Sequence, residues 1–293
     1  MMNDKDREEI LEMLKKTAHK AGELVMQYKK NSENLKIYNK ESAGLASSAD
    51  IESEKLIKDE LLKIEKRMSF QSLLIAEEDS FLSQGHEVKI EDKKRSPFVW
   101  LIDPLDGTTN FLTGLDYYAI SLALVEKGKS SIGVVYRPET GDCFYAIKGW
   151  GAYICNLRKS VEPVKMIKNI RYKGFKAPPQ DLSQSVLTTG FAVQGDSGFK
   201  REFEIFKKMM EKSMAVRRMG SAALDICHTA TGIFDGFWER GLAAWDVAAS
   251  SLICSESGLM VTDYDGREFD VFGKTIIVAP EKTHHLLKQI ILS

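Results

Sequence analysis

Cysteine is scarce in this chain. Four residues, Cys143, Cys155, Cys227 and Cys254, are spread over 293 positions with no CxxC spacing. That excludes a disulfide framework and a paired-cysteine zinc site, and fits reduced, mostly buried thiols. Proline is sparse as well, at seven residues, and no Pro-rich or low-complexity linker interrupts the chain. Neither sign of charge is in excess: 41 Lys and Arg face 42 Asp and Glu, a net charge of −1. No basic surface for nucleic acid or an anionic membrane is therefore indicated. The apolar runs are far shorter than a membrane span. The opening "MMNDKDREEI" is too charged for a signal peptide. The expectation is a soluble, cytoplasmic protein.

What is present is alternating blocks of helix and strand pattern. Apolar residues at Ile10, Leu11, Leu14, Ala18, Ala21, Leu24, Val25 and Tyr28 have helical spacing, predicting a helix from about Asp4 to Lys30. A second helix is predicted over Ile51–Met68, with Leu56, Ile57, Leu61 and Ile64 inward. The small, polar "NKESAGLASSAD" between them reads as a mobile loop. "SLLIAEEDS" reads as a short buried strand ending in acids, and "QGHEVKIEDKKRSP" as an exposed insertion. From residue 98, "FVWLID", "YAISLALVEKG", "SSIGVVYRP", "DCFYAIKG" and "GAYICN" predict a meandering, largely antiparallel sheet. "SVLTTG", "MAVRRMG", "LMVTDYDG" and "TIIVAP" read as further strands. "GFKREFEIFKKMMEK", "GSAALDICHTATG", "AWDVAASSLICSESG" and "PEKTHHLLKQIIL" read as helices. Such blocks indicate layered α+β architecture, not regular βαβ winding.

Acids stand at element boundaries in four places: Asp50, Glu77, the Asp103/Asp106 pair and Asp246. Alone, Asp50 would read as a helix N-cap and Glu77 as one of a solvated acid cluster. The pair in "WLIDPLDGTTNF" is different. Two carboxylates at a strand end, separated by Pro104 and Leu105 and followed by Gly107, suit a hard divalent cation with oxygen ligands. The Leu105 carbonyl is a further candidate ligand. Gly107 and Thr108 then offer backbone N–H groups at a helix start, a cradle for phosphate. The alternating acids and distal glutamate of a calcium-binding EF-hand are missing. "DYDGRE" at 263–268 reads as a hairpin turn around Asp265-Gly266. The five histidines read as structural or solvated.

"EED" after a strand, "DPLDGTTNF", and "GSAALDICHTATG…WERGLAAWDVAA" together resemble the inositol monophosphatase family. That family belongs to a wider group of lithium-sensitive, magnesium-dependent phosphatases with fructose-1,6-bisphosphatases and bisphosphate nucleotidases. The resemblance runs from about residue 10 to the C-terminus. It implies a layered αβαβα sandwich, one catalytic domain over 1–293 with two closely packed α/β halves meeting near 150–185, and a homodimer. By matching position, it implies that Glu77, Asp103 and the Leu105 carbonyl hold one Mg²⁺ and that Asp103, Asp106 and Asp246 hold a second. A third ion would lie near Glu77. Asp50 with the Thr108 hydroxyl would deprotonate the attacking water, with Glu77 assisting, and Gly107 and Thr108 would hold phosphate. Gly220, Ala222 and Glu239 match contacts to a substrate ring, with Asp106 and Asp246 bordering the same space.

Charge counting agrees with metals. Five carboxylates and a phosphomonoester would sum to roughly −7 without cations, and two or three Mg²⁺ offset most of it. The implied activity is hydrolysis of inositol monophosphate or a related sugar phosphate by water that the metals activate. Fructose-1,6-bisphosphate, a 3′(2′),5′-bisphosphate nucleotide, and an inactive binding or regulatory relative are the alternatives. "GTTNF" favours the inositol monophosphatase branch. Departures from the family pattern are "SAGLASSAD" before Asp50, Ala76 where glycine is usual, and a longer insertion after Asp79. Arg217 matches an arginine near the family's dimer interface, and Arg218 matches no assigned role.

Overall fold

The computed structural model describes residues 2–39, 44–82, 96–159, 161–166, 179, 181–191 and 198–293. Helix α1 (Asp4–Lys30) is capped by the Asn3 side chain, which accepts from Asp6 N–H. Acids in its first turn and Lys29 and Lys30 in its last complement the helix dipole. Its buried stripe includes Ile10, Leu14, Ala18, Ala21 and Val25, as the periodicity requires. A short antiparallel pair, β1 (Ile37–Asn39) and β2 (Leu45–Ser47), leads into α2 (Ser48–Met68). The segment read as a loop is thus structured at its end. Residues 40–43 lie outside the described residues, but Leu45–Ser47 pairs as strand and α2 begins at Ser48, three residues earlier than its apolar period showed.

Strand β3 (Leu73–Ala76) runs directly into α3 (Glu77–Leu82), so the acids after this strand open a helix. Of the expected insertion, residues 83–95 lie outside the described residues. Then follow β4 (Phe98–Asp106), α4 (Thr108–Thr113), β5 (Ala119–Glu126), β6 (Lys129–Arg137), β7 (Asp142–Ile147), β8 (Gly151–Asn156) and β9 (Val161–Met166). Strands β3 to β9 form one sheet in sequence order. Only the β3–β4 pair is parallel.

The second half of the chain supplies β10 (Val186–Thr189), α5 (Phe199–Lys212), β11 (Ala215–Arg217), α6 (Ala222–Ala230), β12 (Gly236–Arg240), α7 (Ala244–Glu256), β13 (Met260–Thr262), β14 (Thr275–Ala279) and α8 (Glu281–Leu292). Its five strands lie in the order β11-β10-β12-β14-β13, with β10 parallel to both neighbours. The turn after β13 closes as a hairpin-type turn, with Gly266 at φ +81° and its N–H donating to the Asp263 carbonyl.

Packing orders these elements into five layers. Helices α1 and α2 cover one face of the seven-stranded sheet, and α7 crosses the other face beside α6. Both α6 and α7 also contact the five-stranded sheet, whose far side carries α5 and α8. The fold is the layered αβαβα sandwich. Strand β4 shows why its sequence is apolar without a break: Val99 and Leu101 enter the central core, while Trp100 and Ile102 enter the core under α1 and α2. Gly133 sets the approach of α7, because a Cβ there would lie 2.8 Å from the Ala249 carbonyl oxygen.

Candidate active site

The site grows from the parallel β3–β4 pair. Parallel strands end at the same edge, and the register Ala76↔Ile102 makes Glu77 and Asp103 neighbours one step further on. Beyond Asp103 the strand bulges. Asp103 pairs with Ser121 and Asp106 with Ala119, so three steps on β4 match two on β5. In an unbroken strand residues three apart face opposite ways. The extra residue turns Asp103 and Asp106 to the same side. Asp103 Oδ1 accepts from Leu105 N–H at 3.0 Å, and the Pro104 carbonyl accepts from Ser53 Oγ at 3.0 Å, which ties the bulge to α2.

Asp50 is not the N-cap of α2. Ser47 is, and Asp50 stands at the third helical position, where its Oδ2 accepts from Ser47 N–H at 2.8 Å and Ser47 Oγ at 2.5 Å. This capping box fixes the rotamer and leaves Oδ1 to Thr108 Oγ1, at 2.7 Å. The same hydroxyl oxygen lies 3.1 Å from the Leu105 carbonyl. Asp50 is fully buried, and burial raises its pKa against the lowering effect of the Ser47 and Thr108 hydrogen bonds. Gly107, at φ +93°, turns the chain from β4 into α4. A side chain there would also crowd the Tyr117 and Gly220 carbonyls, at 3.1 and 3.2 Å.

Asp106 is held from the other side. Its Oδ2 accepts from Ser221 Oγ at 2.5 Å and from Ala223 N–H at 2.8 Å, at the start of α6. Asp246 occupies the third position of α7, with Oδ2 accepting from Ala243 N–H at 2.7 Å. Asn110 donates to the Tyr117 and Met219 carbonyls, at 2.7 and 2.8 Å, and so joins α4 to the loop carrying Gly220.

A cavity of about 210 Å³ opens beside these acids, lined by Asp106, Gly220, Ala222, Glu239 and Asp246 among the expected residues. It is also lined by Thr189, Gly190, Phe191, Arg218, Ser221, Asp225 and Leu242, which the motifs did not single out. Ser221 was legible as a helix N-cap ahead of an apolar run. Asp225 comes from the first turn of α6, and the others come from strand ends and loops with no local pattern. Glu239 is 8% exposed, and Gly190 lies so close that a Cβ would fall 2.2 Å from Oε1. Arg218 sits over the Phe191 ring at 6.0 Å, and its charge favours ionised Glu239.

The electrostatics are those of acids held against their own repulsion. Burial first, then Glu77, Asp106 and Asp246, push Asp103 well above the ordinary carboxylate range. Burial drives Asp106 to about 6 despite its hydrogen bonds. Burial, then Asp246, Asp225 and Asp106, raise Glu239. A divalent cation would relieve the same repulsion, and an oxygen-only donor set suits a hard ion. The residues therefore fit such an ion, although among the described residues no three acids already stand in ligating geometry.

The described histidines do not enter the site. His228 packs behind it, with Nδ1 3.0 Å from the Tyr117 hydroxyl, and His284 Nε2 lies 2.8 Å from Thr262 Oγ1. His86 lies outside the described residues. The acids of "DYDGRE" serve the turn, where both Asp263 and Asp265 pair with Arg267.

Comparison with known proteins agrees with this arrangement. The chain is 33% identical over 285 residues to an inositol-1-monophosphatase of Rhizobium meliloti, covering 97% of each protein. It is 33% identical over 276 residues to a Nus factor SuhB of Pasteurella multocida, covering 94% of this chain and 93% of that one. The crystal structure of the extragenic suppressor protein suhB from Bartonella henselae superposes with a TM-score of 0.78 at 31% identity, over 96% of this chain and 98% of that one. A model of the inositol monophosphatase family matches residues 6–292, and the chain belongs to that family.

Proposed function

We propose that this protein is a Mg²⁺-dependent phosphomonoesterase acting on inositol monophosphate or a related sugar phosphate. The observation that carries the reading is the Thr108–Asp50 hydrogen bond, set beside the paired acids of the β4 bulge. Glu77, Asp103, the Leu105 carbonyl, Asp106 and Asp246 would hold two to three Mg²⁺, which supply charge neutralisation and Lewis-acid polarisation of the phosphoryl group.

The chain's own groups do the rest. The Thr108 hydroxyl gives its proton to Asp50 Oδ1, so its oxygen is left to accept a proton from the attacking water. Asp50, with a raised affinity for protons, then holds the one that Thr108 passes on. The water oxygen bonds to phosphorus as the P–O ester bond breaks in line, and the departing oxygen takes a proton from solvent to leave as the alcohol. Gly107 and Thr108 present backbone N–H groups to the phosphate at the start of α4. In the wall of the cavity that Asp106 and Asp246 border, Glu239 accepts hydrogen bonds from substrate hydroxyls, two of which one carboxylate can take at once.

The test is phosphate release from inositol-1-phosphate, fructose-1,6-bisphosphate, 3′-phosphoadenosine-5′-phosphate and histidinol phosphate, with and without Mg²⁺. A Mg²⁺-dependent preference for inositol-1-phosphate supports the reading. Preference for another ester moves the protein to a sister activity. A second, regulatory reading is raised by relatives that carry the name Nus factor SuhB. It takes precedence if no ester is hydrolysed at saturating Mg²⁺. A homodimer, sensitivity to lithium and a cytoplasmic location belong to the same proposal, and sedimentation of the purified protein tests the first.

A further inference from the structure

Cys143 on β7 and Cys155 on β8, twelve positions apart in sequence, are direct cross-strand partners. The parity of their pairing can be read from the ladder. Leu157 N–H donates to the Gly141 carbonyl at 2.9 Å in the same register, so every second pair from there, Cys143↔Cys155 included, is a hydrogen-bonded pair. Such pairs hold their Cα atoms about 5.5 Å apart, inside the ~4.4–6.8 Å window that a disulfide spans. Their Cβ atoms stand near the wide end of ~4.5–5.5 Å, so a bond of ~3.5–4.5 Å between Cβ atoms closes only as the two strands draw together locally and is strained once formed. Partners in register also project to the same face. Both thiols lie on the side covered by α1, Cys143 fully buried in that core and Cys155 half-buried at its edge.

We propose that Cys143 and Cys155 are a redox-active dithiol, which hydrogen peroxide converts to an intrachain disulfide. Cys155 is the attacking sulfur and Cys143 the resolving one, because only Cys155 is within reach of solvent. The adjacent Cys143 thiol first, with Lys15 of α1 in the same sense, lowers the Cys155 pKa against its partial burial, Glu12 and Asp142. Burial keeps Cys143 protonated. In the first step the Cys155 sulfur attacks the peroxide, an S–O bond forms as the O–O bond breaks, and one water leaves after protonation. In the second, the Cys143 sulfur displaces the hydroxyl from the Cys155 sulfenic acid, and its thiol proton leaves with that hydroxyl as a second water. Two thiols lose two electrons and two protons in total, and one peroxide becomes two waters.

Cys227 and Cys254 provide an internal control. Both are fully buried between the sheets, and burial raises both thiols. The pair at β7–β8 lies on the opposite face of its sheet from those two cysteines, so the reaction stands apart from the phosphatase reading.

The experiment is brief peroxide treatment of the full native chain, followed by alkylation of free thiols in denaturant and tryptic mapping. Cys143 and Cys155 fall in different tryptic peptides, separated by Lys148. The expected product joins those two peptides, is reversed by dithiothreitol, and leaves Cys227 and Cys254 alkylated. Cys143→Ser should then leave Cys155 as a sulfenic acid that dimedone captures. Recovery of both thiols alkylated, overoxidation of Cys155 with Cys143 free, or a chain-to-chain disulfide through Cys155 would each overturn the proposal. The mapping uses the wild-type chain, so it decides the matter even if the serine variant fails to fold.

Discussion

Thr108 and Asp50, 58 positions apart, meet through a 2.7 Å hydrogen bond in which the hydroxyl donates to the carboxylate oxygen that the α2 capping box leaves open. One aspartate therefore serves two purposes. It closes the start of α2 with one oxygen and holds a candidate catalytic hydroxyl with the other.

Removal of that hydroxyl should slow the chemical step without loosening the fold. Thr108→Val is expected to lower kcat by about 10²–10⁴-fold, the usual contribution of a positioned acid–base group, with KM little changed. Thr108→Ser should keep most activity. Steady-state kinetics on the preferred ester make the comparison, and near-normal activity in Thr108→Val with a large loss in Thr108→Ser would show that the methyl contact matters and the proton path does not.

Asp103 is buried among Glu77, Asp106 and Asp246. Asp103→Asn should abolish nearly all turnover and raise the melting temperature of the metal-free protein at neutral pH by several degrees, since the amide is neutral without the proton that the buried acid must take up on folding. The stabilising effect of Mg²⁺ should shrink in the same variant. In the wild type that effect should grow with pH. Asp106, pushed up to about 6, binds a proton in the native state that it lacks when unfolded, so metal-free stability falls as pH rises from about 4 to about 6. Mg²⁺ competes with that proton and restores what is lost. Differential scanning fluorimetry at pH 5 and 7.5 reads both effects, and a Mg²⁺ shift independent of pH would contradict the argument.

Gly190 lies against Glu239 with no room for a methyl group. Gly190→Ala should displace the carboxylate and raise KM for inositol-1-phosphate about tenfold, while hydrolysis of a plain aryl phosphate changes little. Glu239→Ala should show the same split. If both substrates suffer equally in Glu239→Ala, that residue does not read the polyol.

His284 gives a pH dependence of the opposite sign. Burial first, then the neighbouring charges of His285 and Lys288, lower its pKa to about 4, and its buried Nδ1 has no hydrogen-bond partner among the described residues. Its neutral form is the one the fold accepts. The contribution is complete above about 6.5 and lost as pH falls toward 4, by as much as about 3 kcal/mol. Urea titrations at pH 4.5 and 7 should therefore differ more in the wild type than in His284→Gln. Identical pH dependence in the two proteins would assign acid sensitivity to other groups.

The sequence by itself determined the long elements and the identity of the acids. Helical periodicity in α1 and α5 and the unbroken apolar run of β4 express burial on one face or two, which is local information. The "DPLDGTT" stretch named the central pair of carboxylates before any contact was visible. Only the tertiary structure decided how those acids meet. The bulge that turns Asp103 and Asp106 to one side depends on register with β5, and the placement of Glu77 beside Asp103 depends on β3 lying parallel to β4. Asp50 read as an N-cap because its spacing to Thr108 carries no local signal, and the β2 strand before it was hidden in a small-residue segment without alternation. Arg218, Gly190 and Asp225 reach the cavity from two separate strand ends and from helix α6 of the second half. Pairing across a sheet and packing between layers join residues distant in sequence, so no periodicity along the chain could have announced them.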